Sequence, residues 1–177
     1  MSKILEQSEQ FIDHLAKLGT GELAVLRRNA GNTLAQSRGV YGLFYRLLPA
    51  TAGNRAEVFF LVASLYGLNK LKVTGDFGQT MRQVKQMSGS TNLDRRMAIL
   101  LDSSMDLMGL SGGGELGYRL RQCVKVAASK GVGVDWVQLL ADLLQWSYSS
   151  KSVQKKWARS YFGDRVEDKK EVESNVS

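Results

Sequence analysis

Apolar residues in this chain recur at intervals of three and four, the spacing that lines one side of an α-helix. Residues 3–18 offer Ile4, Leu5, Phe11, Ile12, Leu15 and Leu18 to one side, and Gly19-Thr20-Gly21 ends the run. A short helix is expected over 22–30 and a compact apolar one over 40–49, halted by Pro49; between them residues 31–38, GNTLAQSR, have weak periodicity and read as a loop. Residues 56–68, AEVFFLVASLYGL, are apolar on nearly every side, which predicts a central core helix. A connection over 69–78 leads to a short basic helix, FGQTMRQVKQM, and then to the turn Ser88-Gly89-Ser90. Four further helices are predicted over 91–108, 115–130, 135–146 and 150–162. Thr91 or Asn92 is placed to cap the first of these, and Asp135 the third, with Gln138 at the third helical position and Val134 and Leu139 spaced as a hydrophobic staple.

No segment alternates as a strand does, so the pattern predicts an all-α fold: a helical bundle, divided into two small helical subdomains. The turn at 88–90 is the expected boundary, giving an N-terminal subdomain over 1–88, a C-terminal bundle over 89–163 and a polar, disordered tail over 164–177. A single proline in 177 residues fits a run of helices.

Charge adds what the pattern does not carry. The net charge is +7, unevenly spread. Residues 1–20 hold two basic and three acidic side chains and residues 164–177 three and five, which leaves 19 basic against nine acidic, a net of +10, in the body between. Such an imbalance marks a surface for a polyanion, nucleic acid above all. One cysteine, Cys123, excludes an intramolecular disulfide and a thiolate cluster and is consistent with a reducing, cytoplasmic location. The acidic residues Glu6, Glu9 and Asp13 break the apolar core a signal peptide needs, and no run reaches the roughly 20 apolar residues of a membrane span.

Residues 151–162, KSVQKKWARSYF, show the charge pattern most sharply. At about 100° per residue Val153, Trp157 and Tyr161 form one row, while Lys151, Lys155 and Arg159 form another almost opposite, with Lys156 nearby. The first row reads as core and the second as a phosphate-facing surface; exposed tryptophans would instead stack on bases.

Signals of enzymatic chemistry are weak. Gly109-Leu110-Ser111-Gly112-Gly113 matches the nucleophile-elbow pattern, but it lacks the preceding strand, and the only histidine is His14 on the first helix. Gly112, Gly114 and Gly117 imitate a dinucleotide fingerprint without its strand or its acidic residue. One histidine and one cysteine cannot assemble the usual zinc sets, and Asp102 and Asp106 read as a solvated helix face. The expectation is therefore a binding protein, not an enzyme, with no cofactor and no metal. A hydrolase using Ser111 and a pure assembly protein docking on acidic neighbours remain the competing readings.

Four stretches, LRRNAG, YGLFYRLLP, LDRRMAILLDSS and GVDWVQLLADLLQWSYSSKSVQKKWARSYF, together resemble the CasB family, the small subunit of the type I-E CRISPR complex Cascade. Most specific is D-W-x-x-L-L-x-D-L-x-x-W followed by V-Q-x-x-W-A-R-x-[YF]. The resemblance implies a non-catalytic helical subunit, paired with a second copy, beside the CasC backbone and near CasA and CasE. It further implies contact with the displaced non-target DNA strand that stabilises the R-loop, with the guide RNA–DNA hybrid as a further nucleic-acid contact. Arg27, Arg28, Arg46, Arg95 and Arg96 carry over as contacts by residue match, although Asp94 permits a local ion pair to the last two. With Arg38, with Arg119, Arg121 and Lys125 on the 115–130 helix, and with Lys151, Lys155, Lys156 and Arg159, they make the candidate nucleic-acid surface.

Overall fold

A computed structural model of the chain describes residues 2–105 and 115–163. Among these residues there are nine α-helices and no strand: α1 Lys3–Ala16, α2 Thr20–Arg28, α3 Tyr41–Leu47, α4 Ala56–Tyr66, α5 Phe77–Ser88, α6 Asn92–Asp102, α7 Glu115–Ser129, α8 Trp136–Leu143 and α9 Ser152–Phe162. A single 3-10 turn, Gly53–Arg55, leads into α4. No described helix is long and apolar enough to cross a membrane.

The expected centre is the observed one. Every residue of α4 from Val58 to Tyr66 is buried, with α2 on one side and α7 and α8 on others. Helix α1 lies along α8, and Phe11 meets Phe59 edge to face at 5.0 Å. Helix α6 packs on α7, and α5 packs chiefly on α9. Both α1–α8 and α5–α9 are pairings across the turn at 88–90. That turn begins at Gly89, which has φ 62° and closes α5 in the left-handed conformation that glycine adopts without strain.

Local chemistry explains the helix limits. Asp76 caps α5 by accepting from the Gln79 amide at 3.1 Å, and the Gln79 side chain accepts in return from the Asp76 amide at 3.0 Å. Asp135 accepts from the Gln138 amide at 3.0 Å at the start of α8, as the sequence predicts. The Gln138 side chain does not complete a reciprocal box: its Nε2 donates along the helix to Asp142 at 2.8 Å. Helix α6 stops at Asp102, six residues short of the expected 108, because Ser103 turns its hydroxyl back to the Ile99 carbonyl (2.8 Å) and presents its own carbonyl to the Trp146 indole (3.0 Å). The loop over 31–38 is loop as expected, yet it is fastened: the Gly31 amide donates to Ser64 Oγ and the Leu34 amide to Glu57 Oε2. Glu57 is pushed above the ordinary carboxylate range by burial, with the Leu34 hydrogen bond opposing.

All three tryptophans are core, not stacking platforms, with exposures of 2% or less. Each indole N–H is satisfied by another part of the chain: Trp136 donates to Asn69 O at 2.9 Å, Trp146 to Ser103 O at 3.0 Å and Trp157 to Asp142 Oδ2 at 2.7 Å. These bonds join the 69–78 connection, the end of α6 and α8 to one apolar interior.

Candidate nucleic-acid interface

Helix α9 takes up the rotation its sequence demands. Val153, Trp157 and Tyr161 are buried, while Lys151, Lys155 and Arg159 stand exposed. Three anchors hold that rotation. Trp157 packs on Phe77 at 5.3 Å and on Trp146 at 5.0 Å. Tyr161 donates to Asp94 at 2.8 Å, and Ser160 Oγ donates to Asp76 at 2.5 Å. Close approach is possible because α5 has Gly78 at the contact, where a Cβ would run into the Trp157 carbonyl oxygen.

Asp142 is the polar centre of the α8–α9 junction. Its carboxylate is 1% exposed and accepts from Gln138, from Trp157 and from Lys156 Nζ at 2.5 Å. Lys156 therefore neutralises a buried carboxylate, and its charge is spent inside the protein to a degree that the sequence spacing does not disclose. Lys151, Lys155 and Arg159 have no such carboxylate partner among the described residues.

The remaining candidates fall into three further groups. Arg27 and Arg28 end α2, exposed, where their charges complement the helix dipole. Next to them Gly31 rests on α7, and a Cβ there would lie 3.2 Å from the Arg121 side chain. Lys125 is exposed one turn beyond Arg121 on the same face of α7. Arg96 and Arg119 converge with Tyr118, Gln122 and Cys123 around a cavity of about 180 Å³ between α6 and α7. Arg119 makes a long ion pair with Glu115 at 3.9 Å. The Nε atoms of Arg119 and Arg121 are buried without a hydrogen-bond partner among the described residues. Arg38 is exposed on the fastened loop, and Arg46 on α3 pairs with Glu22 at 3.7 Å. Asp94 does not go to Arg95 or Arg96: Lys85 takes it at 2.8 Å together with Tyr161, and these two bonds hold its carboxyl below the usual range. Both arginines remain exposed.

Exposed aromatics are the feature that sequence periodicity missed. Tyr41, Tyr45, Tyr118, Tyr148 and Phe162 are each about half exposed, and each lies within three residues of a candidate basic side chain. Tyr41 and Tyr45 stack on each other at 6.4 Å. The signal available was their position: Phe162 falls in the Lys151–Lys155–Arg159 row when α9 is laid out at about 100° per residue.

His14 is exposed, and Cys123 is buried, its thiol pushed up to about 11 by desolvation, against which Arg96 and Arg119 act. Among the described residues no three His, Cys, Asp or Glu side chains gather as metal ligands. Asp106, Ser111, the glycines at 112–114 and the tail over 164–177 lie outside the described residues.

Residues 22–162 match the family model described as CRISPR-associated protein Cse2. The chain is 34% identical over 125 residues to the CRISPR-associated protein Cse2 of Thermus thermophilus; the match spans 67% of this chain and 65% of that relative's length. A solved structure of a Cse2-family protein from Thermus thermophilus superposes with a TM-score of 0.74 at 27% identity, covering 93% of this chain and 100% of that one. CasB of M. ruber gives a TM-score of 0.69 at 26% identity, with 95% and 98% covered. A chain of a CRISPR RNA-guided surveillance complex shares the fold, with a TM-score of 0.75 at 17% identity and 98% and 99% covered.

Proposed function

The chain belongs to the Cse2 (CasB) family of CRISPR-associated proteins, and from that premise we propose that it is a non-catalytic small subunit of a Cascade-type surveillance complex that holds the displaced DNA strand of the R-loop on its basic surface. R-loop formation exchanges one duplex for another of similar stability, so a few protein contacts to the freed strand are enough to shift the balance. Those contacts read phosphates, not bases, and a helical, sequence-indifferent surface suits them. The observation that carries the proposal is the exposed Lys151–Lys155–Arg159 row on α9, fixed in orientation by buried Trp157 and Tyr161 and unclaimed by carboxylates among the described residues. Arg27, Arg28, Arg121 and Lys125 extend the same role on α2 and α7. The partners on this reading are the CasC backbone, CasA, CasE and a second copy of the chain, in the cytoplasm.

Fluorescence anisotropy of labelled single-stranded DNA, duplex DNA and RNA across a salt series tests it. Binding should be indifferent to base order, with log affinity falling linearly in log salt. In Lys155→Gln/Arg159→Gln the single-strand slope should shrink by about 0.7 for each contact removed, while the thermal melt is retained. Lys156→Gln is a separate arm, expected to lower stability through Asp142 more than it lowers affinity. Retained affinity and slope in the folded double variant would remove α9 from the strand-binding surface. Absence of binding even at low salt would turn the basic face toward acidic protein neighbours, as in an assembly subunit.

A further inference from the structure

We propose that Phe162 is a stacking platform for an unpaired nucleobase, at the end of the α9 phosphate row and at the mouth of a cleft between α5, α6 and α9. This rests on the strand-binding reading above and adds to it a contact to bases.

Phe162 is 49% exposed although it closes a helix whose other large aromatics, Trp157 and Tyr161, are buried. Its ring meets Tyr161 edge to face at a centroid distance of 4.6 Å, a contact on one side that leaves the residue half exposed. Tyr161 is itself anchored through its hydroxyl to Asp94, so the platform stands on an ordered support. The cleft beside it has a volume of about 520 Å³ and is lined by Gln86, Ser90 and Thr91 as well as by Lys85 and Tyr161. That is ample for a base, and the amide and hydroxyls offer hydrogen bonds to any base edge without selecting one. Along α9, Lys155 and Arg159 precede Phe162 on the same face at a rise of about 1.5 Å per residue, so a strand whose phosphates follow the row brings a base to the ring. A positive track ending in an exposed aromatic is the combination that sequence-tolerant single-strand binders use. A duplex, with its bases stacked inside, has nothing to offer this ring.

The test compares a thymidine oligonucleotide with an abasic strand of equal length, each titrated with the full-length chain. Phe162→Ala should weaken binding of the thymidine strand by roughly 5- to 100-fold and leave the abasic strand and the salt slope unchanged. Phe162→Trp is the second arm: the three native tryptophans are buried, so an indole at 162 is the one on which a base can stack, and its fluorescence should be quenched by the thymidine strand and not by the abasic one. Equal affinity of the wild-type chain for the two strands, or an unquenched tryptophan at saturation, overturns the stacking proposal while the phosphate-row reading stands. Failure of both strands to bind overturns the two together.

Discussion

Lys151 is the one non-glycine residue with positive φ among those described, at φ 54° and ψ 31°. A side chain held there costs about 1–2 kcal/mol relative to the right-handed region, and asparagine tolerates it far better than lysine does. Lysine at this point is disfavoured by the backbone. Lys151→Asn should accordingly keep or raise the melting temperature, by an amount worth up to about 1 kcal/mol, and at the same time lose one contact from the single-strand salt slope, about 0.7. A drop in stability would show that Lys151 is held by its packing instead. Other residue-level roles divide by legibility. Trp157 was legible as core from spacing alone, because amphipathic periodicity reports which face is buried. Lys156 was not: the partner that claims it, Asp142, is 14 positions away, and helix spacing says nothing about a carboxylate on a neighbouring helix.

At the level of elements, the α5–α9 pair determines whether the basic row points outward. Gly78 sits where the two backbones meet, and the atoms a Cβ would strike, the Trp157 carbonyl oxygen and, at 2.9 Å, its Cα, are main chain and cannot swing aside. Gly78→Ala should therefore destabilise by about 2–3 kcal/mol, seen as a lowered urea midpoint, despite the higher helix propensity of alanine. An unchanged midpoint would mean that the helices separate at little cost. Helix limits set by local signals were readable, as at Asp135, whose cap lies three residues from its partner. Those set by distant groups were not. Helix α6 ends early because the Trp146 indole occupies the Ser103 carbonyl from 43 positions away, and periodicity across 105 and 108 gave no hint of it.

On the scale of the whole molecule, one apolar interior ties the helices together, and Cys123 lies within it at 2% exposure with its thiol raised to about 11 by burial. Thiol labelling at pH 8 should be negligible in the native protein and should rise in step with loss of tryptophan signal across a urea titration. Labelling well below that transition would instead report independent opening of α7. The all-helical class was plain from periodicity, and the excess of positive charge in the body is what motivates the proposal of a polyanion partner. The pairings of α1 with α8 and α5 with α9 were not legible, since sequence spacing orders residues within a helix and leaves open which helix lies beside it. Helix α4, buried on every side, is covered in part by α7 and α8, which are translated last among its neighbours. At about 5–20 residues per second, α8 follows α4 off the ribosome by roughly 4–15 s. Until α7 and α8 emerge, the faces of α4 that they cover stay open in the nascent chain, so an element fully buried once folded is partly exposed during synthesis.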